Sequence, residues 1–182
     1  MGKIIRINET ELISLIGRLL NEVHQMDEVG KEVYQYVRDN PEKRFIMSEE
    51  DIINFRDQNE QEVSDKPNGL WYAVGSEWID WVRNEMPEWE TDNVFEIKIN
   101  DDKILKISTY DDIFEFTKKY GRKDYGFLMI NWNKVSQDYS GIEIVPFIRP
   151  ASRKLNWYYT WDIASGCIWR GDGIKSIKKV KF

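Results

Sequence analysis

The chain has 182 residues, of which 41% are apolar and 14% aromatic, and a formal net charge of −6. That length fits one ordinary domain with at most a small appendage, and the apolar and aromatic content excludes a disordered chain. The acidic balance argues against general nucleic-acid binding, which needs a basic footprint. One cysteine (Cys167) excludes an internal disulfide, and with the single His24 it leaves too few ligands for a usual zinc site.

Asn8-Glu-Thr-Glu11 has the form of a capping box, and Leu12, Ile16, Leu19, Leu20 and Val23 follow at helical spacing. Val29, Val33, Tyr34 and Val37 form a second helical stripe, stopped by Asn40-Pro41. Residues 1–40 therefore read as an N-terminal helical pair. From 44 to 182 the period changes, and an α+β domain is expected. Its first strand is Arg44-Phe-Ile-Met-Ser48. A helix is predicted over Glu49 to about Arg56 from Ile52, Ile53 and Phe55, then a polar loop over Asp57–Lys66.

Pro67-Asn-Gly69 turns the chain into a strand at Leu70–Val74, with Trp71 and Tyr72 pointing to opposite faces. Ser76 is placed to cap a helix carrying Trp78, Trp81 and Val82 on one face, which ends before Pro87. Val94–Ile99 alternates, Asn100–Lys103 turns and Ile104–Ile107 returns, which predicts a β-hairpin. Tyr110–Tyr120 is an amphipathic helix closed by Gly121, and Asn131–Tyr139 is a short helix or turn. Strands are expected at Gly141–Phe147, Leu155–Trp161, Cys167–Trp169 and Ile174–Val180, the last with lysines on a solvated face.

No phosphate-binding glycine loop, dinucleotide fingerprint, zinc-protease helix or nucleophile elbow is present. Asp101-Asp102 and Asp111-Asp112 read as turn and helix-start acids, and Arg170-Gly-Asp172 as a hairpin turn. Two features carry chemical interest. Glu143 sits inside an apolar strand, on a wet sheet face or pointing into a cleft. Trp71-Tyr72 and Trp157-Tyr-Tyr-Thr-Trp161 are dense aromatics that suit core packing, or stacking on a planar cationic ligand.

The run of RFIMS, NGLWYA, ILKIST, YSGIEI and WYYTWDIASGCIW, with helices between them, resembles small phage-encoded members of the ADP-ribosyltransferase superfamily. The resemblance covers Arg44 to Phe182. It implies two sheets packed around a cleft that holds NAD as substrate, with no metal. Arg44 and Ser48 of the first strand, with Trp71 and Tyr72, would bind the cofactor, and Glu143 would be catalytic. Gly141 stands where a Glu or Gln two residues before that glutamate would complete the family pattern. Glycosyl transfer from NAD passes through an oxocarbenium-like state, which a carboxylate stabilises. The acceptor stays open: a host or phage protein, a nucleic acid or water.

IIRINETELISLIGRLLNEV resembles the leader of many gut tailed-phage proteins, which implies an attachment, packaging or self-association role for residues 1–40. A non-catalytic phage structural or host-interaction (inhibitor) protein on the same fold is the alternative. No apolar run approaches the roughly 18 residues of a membrane span, and no signal-peptide pattern is present. The expected location is the host cytoplasm or a virion.

Overall fold

The computed structural model describes residues 12–14, 16, 30–52, 54–124 and 126–182. Of the expected N-terminal pair, the first helix lies outside the described residues apart from helical backbone at 12–14 and 16. The second is present as α1, helical over 30–38. The strands are β1 (Arg44–Met47), β2 (Val63–Ser64), β3 (Leu70–Val74), β4 (Val94–Ile99) and β5 (Ile104–Ile107), then β6 (Gly121–Asp124), β7 (Phe127–Asn131), β8 (Gly141–Ile144), β9 (Ser165–Ile168) and β10 (Ile174–Lys179). The remaining helices are α2 (Glu77–Glu85), α3 (Tyr110–Tyr120), α4 (Trp132–Asp138) and the single turn α5 (Arg149–Ser152). The architecture is mixed α+β with two sheets.

The larger sheet runs β10-β4-β1-β3-β9-β8-β5, and only the β5–β8 pair is parallel. The smaller is antiparallel, ordered β2-β7-β6. The large sheet is strongly curved. Ile104 of β5, at one edge, shares an apolar cluster with Ile46 of β1 and Phe95 and Ile97 of β4. The Asn100 amide also donates to the Gly173 carbonyl at 2.8 Å, tying the β4–β5 link to the chain entering β10.

This curvature corrects the hairpin expectation. Both strands exist where the alternation puts them, but β4 lies between β1 and β10 while β5 pairs with β8. Their short link spans the mouth of a curled sheet. Alternation reports that a segment is a strand but does not name its neighbour. For the same reason the Gly171–Gly173 turn joins β9 to β10, which are not paired either.

Two further expectations fail. Residues 49–52 and 54–56 are not helical. Instead this stretch straps the inner face of the sheet, where Ile52 and Phe55 pack. Asp51 pairs with Lys179 at 2.8 Å, and Asp57 accepts from the Gly171 amide at 2.8 Å. Long-range contacts override a weak local helical pattern. Asn156–Trp161 is a 3-10 helix, not a strand, and it buries Trp157, Tyr158 and Trp161 together. Unbroken aromatics at 157–159 carry no period-2 signal, so packing decides.

Local chemistry accounts for much of the rest. Thr109 and Asp112 form a full capping box at the start of α3. The expected stop at Gly121 stands: it caps the C-terminus of α3 with φ −65° and ψ 143°, and the same residue begins β6. There the absent Cβ matters because it would collide with the Thr117 carbonyl.

The outer face of the large sheet carries two cores. Val33 and Val37 of α1 pack with Phe45, Ile79 and Val94, so α1 shares its core with β1 and β4. Over β5 and β8 a larger core gathers Ile142, Ile144, Ile113, Trp132, Trp157 and Trp169. Among the described residues no helix is long and apolar enough to cross a membrane.

Candidate functional site: two faces of one strand

Strand β3 runs through the middle of the large sheet, and its two aromatics part company there. In the register, Tyr72 and Glu143 both oppose Gly166, and Arg44 opposes Val74, so these side chains share the inner face. Trp71 opposes Cys167 on the outer face.

On the inner face, Glu143 is 5% exposed and has all its partners. The Arg44 guanidinium grips it with two hydrogen bonds, Nε to Oε2 at 2.5 Å and Nη2 to Oε1 at 2.9 Å. Lys106 Nζ donates to Oε1 at 2.7 Å, and the Tyr72 hydroxyl donates to Oε2 at 2.9 Å. Asp101, more exposed, takes Lys106 at 3.0 Å and balances the second cation. Strands β1 and β8 are separated by β3 and β9, about 14 Å in a flat sheet. Curvature and the long arginine side chain close that gap. Gly166 makes room, because a Cβ there would run into the Tyr72 ring.

Burial opposes the charge on Glu143, but hydrogen bonds and charge from Arg44 and Lys106 outweigh it and hold the carboxyl below its ordinary range. Tyr72 is pushed well up, first by burial and then by the carboxylate beside it. The cluster is a charge-neutral, hydrogen-bonded plug at one end of the curled sheet. Glu143 faces neither water nor an open cleft.

On the outer face, between the two cores, lies a cavity of about 460 Å³. Five of the eight tryptophans line it: Trp71, Trp78, Trp81, Trp89 and Trp161. Ala73 of β3 supplies a small side chain at its wall. Trp78 and Trp81, three apart on α2, stack with centroids 5.1 Å apart and planes 22° apart. Trp81 and Trp89 approach to 6.1 Å, and Trp71 meets Trp161 edge-on at 4.9 Å. Trp161 is fixed from behind by its indole N–H donating to the Asp65 carbonyl at 3.4 Å.

Two exposed charged residues also line this cavity, Lys66 and Asp162. The Lys66 ammonium sits 5.5 Å from the centre of the Trp71 ring. Asp162 has φ 56° and ψ −42°, a backbone region that side chains rarely adopt, and such strain gathers at ligand sites. Neither side chain has an ion-pair partner among the described residues.

Of the sequence-predicted site residues, then, Arg44, Tyr72 and Glu143 are brought together as mutual partners. Trp71 is on the opposite face. Ser48 follows β1 at the end away from Arg44, and its hydroxyl accepts from the Glu50 amide at 3.3 Å. Sequence reasoning missed Trp89, Lys66 and Asp162. The i, i+3 spacing of Trp78 and Trp81 and the dense aromatics at Trp71 and at Trp157–Trp161 were the local signals that pointed toward the cavity. Among the described residues no acidic, histidine or cysteine cluster could hold a metal ion. No protein-family model matches the chain, and neither a curated protein nor a solved structure matches it.

Proposed function

We propose that this protein is a ligand-binding domain whose tryptophan-walled cavity takes a flat, electron-poor ring. The nicotinamide of NAD is the candidate that the sequence resemblance supplies. The observation that carries the reading is the convergence of five indoles from four separate segments on one cavity of about 460 Å³. That volume is within the usual range for small-molecule sites, which are mostly apolar with a few polar groups. Indole faces attract cationic rings by roughly 0.5–2 kcal/mol each, depending on desolvation.

The geometry favours the non-catalytic alternative over ADP-ribosyl transfer driven by Glu143. A carboxylate that stabilises a sugar cation must face the bound sugar with oxygen lone pairs to spare. Glu143 is on the other side of the sheet from the cavity and already accepts from three side chains.

Quenching of tryptophan emission on titration with NAD tests the reading, with nicotinamide release followed in the same samples. Saturable quenching without release is expected, and it should be weakened by Trp78→Ala. Absence of quenching at millimolar NAD removes the NAD reading. Release that Glu143→Gln abolishes would restore the transferase.

A further inference from the structure

Beside the tryptophan cavity is a second one of about 500 Å³ with a different lining: Arg149, Ser152, Thr160 and Tyr159, with Phe147 as the apolar contribution. Lys66 and Asp162 line both cavities, so the two adjoin at that pair. Two cations and one acid line this second space, which leaves it net positive. The Arg149 guanidinium makes no hydrogen bond or ion pair among the described residues, and neither does the Lys66 ammonium. Several other cations pair with nearby acids, Arg38 with Asp80, Arg83 with Glu90 and Lys179 with Asp51, whereas Arg149 and Lys66 pair neither with Asp162 beside them nor with any other acid among the described residues. In a chain of net charge −6, two unpaired cations around one cavity mark a place where negative charge is to be supplied from outside.

We infer that the ligand is bipartite: a flat ring in the tryptophan cavity and a phosphate-type oxyanion in the adjoining one, held by Arg149 and Lys66. This rests on the reading of the tryptophan cavity given above. Arginine suits the role because its planar fork can give a phosphate two parallel hydrogen bonds. Ser152 and Thr160 line the same space, but their hydroxyls donate to the Arg149 and Trp157 carbonyls, so the anion takes its hydrogen bonds from the two cations. Lys66 leaves the Trp71 face when a ring takes its place and turns its ammonium to the anion. Asp162, at the junction, would repel an oxyanion but accepts from hydroxyls, so the linking portion of the ligand carries hydroxyl groups such as those of a sugar. Arg44 has no part in this, being committed to Glu143.

A matched pair of probes tests the inference on the full chain: nicotinamide riboside and its 5′-phosphate, titrated by tryptophan quenching and calorimetry. One good charge-assisted contact is worth about tenfold in affinity, so the phosphorylated probe should bind at least roughly tenfold more tightly at low salt. That advantage should shrink with added potassium chloride. It should disappear in Arg149→Ala and fall partway in Lys66→Met. Inorganic phosphate should compete with the phosphorylated probe and leave the riboside untouched.

Arg149 is exposed, and an unchanged melting temperature of Arg149→Ala confirms that the variant is folded. Equal affinities for the two probes, or an advantage that survives Arg149→Ala, overturns the oxyanion subsite and leaves the tryptophan cavity standing. Failure of both probes to quench overturns the cavity reading, and the subsite with it.

Discussion

The two faces of β3 differ in how their polar groups are matched, and that difference separates structure from function more sharply than residue type does. On the inner face, an acid, two cations and a phenol meet in the interior with complete pairing. On the outer face, Lys66 and Asp162 stand unpaired beside an aromatic cavity. A buried charge with every partner in place contributes to holding the sheet closed. Charges without partners around a cavity leave work for a ligand. Glu143 is the most suggestive catalytic residue in the sequence, yet it belongs to the first group.

Glu143→Gln should break this contrast most strongly. It keeps the volume but leaves Arg44 and Lys106 without their anion, and removing one member of a buried pair costs about 3–5 kcal/mol. Both cations are partly exposed and can hydrate, so a loss of roughly 2–4 kcal/mol in denaturant unfolding is expected. Ligand affinity should hardly change. A variant as stable as the parent would show that the cluster does not hold the sheet.

Gly166→Ala probes the same plug by crowding. The new methyl would meet the Tyr72 ring and lie 2.8 Å from the Ile142 carbonyl, and neither the strand nor the ring can step aside freely. Overpacking of this kind costs about 1–3 kcal/mol. Tyr72→Phe removes only the hydroxyl and should cost about 1.5 kcal/mol, the lower end for a hydrogen bond to a charged group. The two variants together distinguish a steric constraint from a polar one.

Acid sharpens the comparison further. The carboxyl of Glu143 is held below its ordinary range in the folded chain. Its stabilisation is therefore complete above the unfolded value, about 4.3, and is lost as pH falls through the lower folded value. Unfolding curves should weaken with acid below about pH 4.3 in the parent, and less steeply in Glu143→Gln. Asp101, held low by Lys106, and Glu96, held low against burial by the Tyr36 hydroxyl and Lys43, contribute to acid sensitivity in both proteins. A variant with an unchanged acid slope would mean that Glu143 is not the group responsible.

How much of this is legible in the sequence follows from the range of each interaction. The alternation of Val94–Ile99, the amphipathic helix over Tyr110–Tyr120 and the placing of Trp71 and Tyr72 on opposite faces depend on neighbours within a few residues, and all of them stand. The partner of β5, the strap at residues 51–52 and 54–57 and the aromatic 3-10 helix depend on contacts from 37 to more than one hundred residues away. No local pattern encodes those. Glu143 illustrates the limit: its burial is set by Arg44, 99 residues earlier. The cavity was half visible, in Trp78 and Trp81 on one helix face and in the aromatics at Trp71 and Trp161, but that these converge, with Trp89 added, was not.

The smallest effect on stability should come with a large effect on binding. Trp89 follows a proline in the short turn after α2 and is 48% exposed, so its packing adds little to the fold. Substitutions at such positions usually shift stability by within about 0.5 kcal/mol. If the ring of a ligand lies among the indoles, however, Trp89→Ala removes one wall of its cage and should weaken binding by about tenfold, in line with 1–1.5 kcal/mol for an aromatic contact. The measurement is a pair: a melting curve that superimposes on the parent and a calorimetric titration that does not. If Trp89→Ala lowers the melting temperature by many degrees, the indoles are a core that happens to enclose space, and the contrast between the two faces of β3 loses its functional meaning.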